Sequence, residues 1–381
     1  MKKIVLSSLV ASSILMAGGY KIPETSTNAV ALSAANVAHN KSADAAYYNP
    51  ANMVFMEDSN YIEVDATYIG LDAIEYKSAS SDIESESETF IIPSIHYVSG
   101  KAGETRIGLS VCVPGGLTKR WGDAPASTSA TEFTLSVIEI NPSVAIPVND
   151  KLSFAFGFRI VKSKGVVETA YYKMTGDSID YGYNLALSYK ATTDLEMAMT
   201  YRSQINLTED GTSELTTGGT YDVSLTVPLP AVASLAVAYT LPAKTTVEFV
   251  YERTMWSAYK AIDFEYSNST VESIYGNPVE KNWNDTNTFR LGLTKELDTM
   301  TLMAGIVYDE SPVPDDTIAY ELPDSNSLGL SIGGRYNINK QVDLGLAALY
   351  SMRESRDSAD GTGEFSGGNV LMVSAGVGYK F

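Results

Sequence analysis

Cysteine and histidine are almost missing. The chain has one cysteine, Cys112, and two histidines, His39 and His96. One thiol excludes an intrachain disulfide, and this set cannot assemble a Cys/His zinc site. No metal or cofactor is expected. Neither histidine sits in a recognisable nucleophile setting, and His96 reads as a wall residue, so an enzyme is not expected. Basic residues are also scarce: 27 Lys and Arg stand against 46 Asp and Glu, for a net charge of −19. Nucleic-acid binding needs a basic stripe and is excluded. Long apolar runs are missing as well. The one at the N-terminus is shorter than the ~20 residues of a helical span, so any membrane crossing must be made by strands.

That N-terminal run has the layout of a secretory signal peptide over residues 1–17. Lys2 and Lys3 form the charged start, Ile4–Met16 the apolar stretch, and Ala17 or Gly18 the small residue at the cleavage point. An exported chain is expected.

Residues 18–56 do not alternate. They are rich in Ala, Ser, Thr, Asn and Gly and end on the turn-forming Asn49-Pro50-Ala51-Asn52-Met53. This composition suits a compact hatch that plugs whatever the strands enclose. Residues 57–381 then repeat with period two. Ile62, Val64, Ala66 and Tyr68 alternate with Glu63, Asp65 and Thr67. Phe154, Phe156 and Phe158 alternate with Ser153, Ala155, Gly157 and Arg159. Each such segment is a strand with one apolar and one polar or small face.

Period two fits a soluble sandwich with its apolar face inside, and equally a transmembrane barrel with its apolar face outside. Three features favour the barrel. Several strands reach the ~9–11 residues that cross a bilayer at a tilt. The 24 tyrosines suit interfacial girdles. The last strand, Val370–Phe381, is amphipathic and ends on an aromatic. The expected fold is all-β: an antiparallel barrel of about 14 strands, an even number as single-chain bacterial barrels require. Its windows include 104–114, 194–207, 219–240 and 243–266. Pro228 and Pro230 bend the third of these and mark a candidate lateral opening in the wall. Gly115–Thr131 and Asp210–Thr220 are expected among the long outward loops.

The order of several short motifs resembles the long-chain fatty acid transporter family of outer-membrane proteins, which includes aromatic-hydrocarbon channels. They are Gly18-Gly19-Tyr20, Asn49-Pro50-Ala51, Pro114-Gly115-Gly116-Leu117 with Arg120-Trp121, and Thr200-Tyr201-Arg202-Ser203. Trp256-Ser257, Tyr308–Pro314 and Leu322-Pro323-Asp324 complete the series, which runs nearly the full length. The resemblance implies a barrel in the Gram-negative outer membrane, an N-terminal hatch, and passive uptake of hydrophobic compounds with sideways exit. It implies outer-membrane lipid and lipopolysaccharide as surroundings, and a C-terminal strand read by barrel assembly machinery. By the same resemblance Tyr20 corresponds to a ligand-contacting aromatic, with a packed hatch aromatic as the alternative, and Asn49, Pro50 and Ala51 to the hatch motif. Lys164, Arg202 and Lys260 are head-group candidates, with ordinary lumen or rim charge as the alternative for each. Asp263 falls where a further basic residue is expected. Long-chain fatty acids, monoaromatic or alkane hydrocarbons, and a non-transporting structural or adhesive barrel all stay open as readings.

Overall fold

The computed structural model describes residues 18–381, so the expected signal peptide lies outside the described residues. Fourteen antiparallel strands close into one barrel. They are β1 Tyr61–Leu71, β2 Glu88–Val98, β3 Arg106–Cys112 continued by Gly116–Arg120, β4 Glu132–Asn149, β5 Leu152–Glu168 and β6 Tyr172–Lys190. β7 is Leu195–Arg202 continued by Ile205–Leu215, and β8 is Thr220–Leu229 continued by Ala231–Leu241. β9 Thr245–Met255, β10 Thr286–Glu296, β11 Met300–Asp309, β12 Ser327–Asn337, β13 Val342–Arg353 and β14 Val370–Lys380 complete it. β1 closes on β14 in an unbroken register from Tyr61↔Lys380 to Leu71↔Val370. Closure removes the free edges that an open sheet would present.

The burial pattern separates the two architectures that periodicity leaves open. β1 buries Glu63, Asp65 and Thr67 and exposes Val64, Ala66 and Tyr68. β14 buries Ser374, Gly376 and Gly378 and exposes Leu371, Val373, Val377 and Tyr379. Apolar side chains face out and polar ones face in, which is the arrangement lipid requires and water forbids. Among the described residues no helix is long and apolar enough to cross a membrane.

Residues 18–56 fill the lumen, and only Lys41 among them is exposed. Helix α1 (Thr27–Leu32) is capped by Ser26, whose hydroxyl accepts from Ala29 N at 3.1 Å. It lies against β11–β14, where the wall is bare: a Cβ on Gly305 would come within 2.3 Å of the Leu32 backbone. Thr27 Oγ1 donates to Asp65 at 2.6 Å, and Ser331 Oγ to Ala31 O at 2.9 Å. On the far side, Glu248 of β9 accepts from the backbone N–H groups of Val37, Ala38 and His39 at 2.6, 2.6 and 3.0 Å. Helix α2 (Ala45–Tyr48) and a 3-10 turn, Pro50–Phe55, rest on β2–β6. A segment with no period of its own is therefore held by polar contacts to both sides of the wall.

Three expectations change. Gly115–Thr131 is not all loop, because Gly116–Arg120 resumes β3. Asp210–Thr220 is the tip of a β7–β8 hairpin that continues above the proline bend. The window 243–266 is not one strand: β9 ends at Met255 in a 3-10 turn, and Phe264–Tyr266 pairs instead with the upper half of β8.

Candidate functional site

β3 leaves the wall between its two halves. Over Val113-Pro114-Gly115 it bends inward, and the N-terminal segment pairs with it there as a short extra strand. Ile22 N donates to Pro114 O at 2.9 Å, Gly116 N donates to Tyr20 O at 2.7 Å, and Lys21 bridges Gly115. The Tyr20 ring packs edge-on to Trp256, 4.7 Å between centroids, with Trp283 and Tyr259 completing the cluster. Gly19 precedes it at φ +78°, and a Cβ there would lie 2.6 Å from the Trp256 ring, so backbone shape and crowding both require glycine. The Tyr20 hydroxyl donates to the Pro228 carbonyl. Burial pushes its phenol well above the ordinary range, so it remains a donor.

Residues 20–23 divide two cavities. The outer one has Tyr20 on one side and Leu117, Leu135, Val167, Leu225 and Trp283 around it, with Glu209, Lys281 and Glu321 as its charged groups. The inner one is bounded by Lys21, Ile22, Pro23, Tyr47, Pro114, Pro230, Arg159 and Arg202.

Charge is distributed unevenly between them. Lys281 is tied to Glu321 in the outer cavity. In the inner one, Arg159 and Arg202 share a single buried carboxylate, Glu139, with Arg159 at 2.9 Å. Two guanidinium groups on one carboxylate leave one positive charge in excess. Arg202 also lies 4.2 Å from the centroid of the Tyr47 ring. Lys21 is paired with Glu252, which also faces Arg290; Arg290 in turn donates to Glu24 at 3.3 Å. Burial pushes the Glu24 carboxyl up to about 7 against the pull of Arg290, and its Oε2 has no hydrogen-bond partner among the described residues.

The structure brings Tyr20, Pro230 and Arg202 to these cavities, while Pro228 lines neither and is joined to them through its carbonyl, which accepts from the Tyr20 hydroxyl. Asn49 instead ties the segment together: its Nδ2 donates to Val37 O at 2.7 Å and Ser188 Oγ at 2.8 Å, and its Oδ1 accepts from Ala51 N at 3.2 Å. Pro50 starts the 3-10 turn, and Ala51 O accepts from Ser153 at 2.8 Å. Lys164 is exposed on the outer face of β5, in step with Phe156 and Phe158, and does not reach either cavity. Lys260 is exposed in the connection after β9.

Arg159, Glu139 and Pro114 line or support the inner cavity and do not stand out as site residues in sequence. Arg159 had a signal, because it shares the polar parity of Ser153 and Gly157. Gly329-Leu330-Ser331-Ile332-Gly333 spells the nucleophile-elbow pattern, but it lies within β12, and Ser331 bonds Ala31 O and Ser33 Oγ. Among the described residues no acidic, Cys and His group could hold a metal.

The inward bend leaves a seam. β2 pairs with β3 only over Ile95–Val98, so Thr89–Ser94 have no β3 ladder partner. Above the seam the chain is rejoined by the Ser85↔Trp121 bridge and by Arg120, which holds Glu88 at 2.6 and 2.8 Å.

A family model described as outer membrane protein transport protein (OMPP1/FadL/TodX) matches residues 8–381. The long-chain fatty acid transport protein of Escherichia coli strain K12 is 22% identical over 410 residues, covering 93% of this chain and 90% of that one. Outer membrane protein P1 of Haemophilus influenzae is 25% identical over 428 residues, covering 92% and 90%. The crystal structure of a Pseudomonas aeruginosa FadL homologue superposes with a TM-score of 0.83 at 17% identity, over 95% of this chain and 99% of that one. The Pseudomonas putida toluene transporter TodX superposes at 0.73 with 16% identity, over 95% and 98%. At such identities the superpositions speak for the fold alone. With the family match over nearly the whole chain and a closed, plugged barrel, this chain belongs to the outer-membrane transport family of OMPP1, FadL and TodX, whose members are channels and not enzymes.

Proposed function

We propose that this protein carries long-chain fatty acids passively across the outer membrane. A ligand enters the outer cavity, passes Tyr20–Pro23 into the inner one, and leaves sideways through the β2–β3 seam into the bilayer. Pro114 of the inward bend bounds the inner cavity and adjoins that seam, and Pro230 bounds the same cavity from β8. Lipid and lipopolysaccharide surround the apolar wall, and the C-terminal strand ending on Tyr379 and Phe381 is the signal for assembly. The observation that carries the substrate is the excess positive charge of Arg159 and Arg202 on Glu139, beside an apolar cavity. A carboxylate head group there makes a charge-assisted hydrogen bond at low dielectric. The hydrocarbon reading is favoured by the outer cavity, which offers no unpaired cation.

The test is uptake into proteoliposomes of a long-chain acid, its methyl ester and toluene. Preferred uptake of the acid supports the proposal. Equal uptake of all three moves the substrate to hydrocarbons, and no uptake of any leaves a structural barrel.

A further inference from the structure

The outer cavity holds a buried acid with no cation beside it and one carboxylate oxygen unpaired among the described residues. Glu209, on the upper half of β7, is only 1% exposed, and its Oε1 has no hydrogen-bond partner among the described residues. Ser163 hydrogen-bonds the carboxylate, and its charged neighbours are Asp177 and Asp180, so the local field offers it no cation. Lys281, the one cation lining the cavity, is engaged by Glu321. Two carboxylates therefore face one ammonium within a lining that is otherwise apolar but for the hydroxyls of Tyr20, Thr134, Tyr259 and Thr317. The position of Glu209 is built into the wall. Its carboxylate lies over Gly165, where any Cβ would come within 1.8 Å of Oε2. A buried acceptor without a donor is costly, and a ligand that brings a donor relieves that cost.

We propose that the outer cavity selects hydrophobic molecules ending in a neutral hydrogen-bond donor, with that donor on Glu209, and disfavours anionic head groups. Primary alcohols, phenols and undissociated carboxylic acids are the class. This rests on the reading of the barrel as a channel for hydrophobic compounds, and it adds a charge filter ahead of the inner cavity. A fatty acid is held in the outer cavity only in its undissociated form. The ionised form meets a like charge where it needs a cation.

The experiment uses the full-length protein folded in detergent and three brominated probes of one chain length: an ω-bromoalcohol, an ω-bromocarboxylate and a bromoalkane. Bromine quenches indole fluorescence, and Trp283 lines the cavity. Trp283→Phe identifies the part of the signal that comes from this site. The alcohol is expected to bind about tenfold more tightly than the alkane, the worth of one hydrogen bond to a charged acceptor. The carboxylate is expected to bind more weakly than the alkane. Glu209→Leu brings the alcohol to the level of the alkane. Glu209→Gln keeps the shape and an acceptor, so it retains the alcohol and strengthens the carboxylate; this arm decides the matter if the leucine variant does not fold. Carboxylate binding as tight as alcohol binding, or an order that Glu209 substitutions leave unchanged, overturns the proposal while the channel reading stands. Failure of all three probes, the alkane included, overturns both.

Discussion

The hydroxyl of Tyr20 donates to the main-chain carbonyl of Pro228, joining the start of the lumen segment to the bend in β8. One contact thus holds both the partition between the cavities and the wall beside it. Tyr20→Phe removes the bond and keeps the ring in its aromatic cluster. The buried carbonyl loses that donor, at a cost of about 1–3 kcal/mol. Barrel melting should change little, while amide exchange should rise around Leu229 and Ala231. Unchanged exchange there would mean the bond is not holding the bend.

Glu248 accepts three backbone N–H groups from Val37, Ala38 and His39. Glu248→Ala leaves the buried N–H groups of Val37 and Ala38 unpaired, at roughly 1–3 kcal/mol each, and that of the half-buried His39 as well. The fourteen wall strands do not depend on it, so the barrel should fold with a loosened plug. Cys112 is a built-in reporter, because it is buried beside Thr25 and Tyr47 of the plug. Maleimide should label it faster in the variant, and planar bilayers should show new ion conductance. A closed, unlabelled variant would place the main anchorage elsewhere.

Glu24 links plug stability to pH. Its carboxyl is raised from 4.5 to about 7 by burial. A raised carboxyl binds its proton more tightly in the seated state than in the unseated one. The stabilisation is therefore full below about 4.5, falls as pH rises, and is lost above about 7. The span corresponds to on the order of 3 kcal/mol. Glu24→Gln imitates the protonated form and should flatten the profile. Cys112 labelling in the two proteins, compared at each pH so that thiol ionisation cancels, reads this directly. Parallel profiles would remove Glu24 from the linkage.

Much of the barrel is legible in the sequence because lipid contact imposes strict alternation on one face. Ile62–Tyr68 and Phe154–Phe158 carry that signal plainly. Which face is buried is not legible from period alone, since a sandwich alternates equally. The β3 bend is hidden for a different reason. Pro114-Gly115-Gly116 has turn chemistry, and only the pairing of Tyr20 and Ile22 with it makes it part of a wall. The plug seats are illegible because they join residues such as Val37 and Glu248, far apart in sequence and without periodic pattern. Lys164 is the instructive case. It lies an even number of residues from Phe158, so strand parity already puts it on the outer face. Arg159 has the opposite parity and points inward.

That parity makes the head-group assignment testable within one pair of substitutions. Arg202→Met keeps the bulk over Tyr47 and leaves Arg159 neutralised by Glu139, which removes the excess charge. A hydrogen bond to a charged group contributes about 1.5–3 kcal/mol, so affinity for a long-chain acid should fall roughly ten- to hundredfold. The methyl ester, with no charge to lose, should bind as before. Lys164→Met should alter neither ligand, because its side chain lies among the outward residues of β5. Isothermal titration of the parent protein and the two variants with each ligand, six pairs, separates the outcomes. Equal losses for acid and ester would mean that Arg202 shapes the cavity and does not bind the head group. A loss on Lys164→Met would place the acid on the outer wall, away from the lumen.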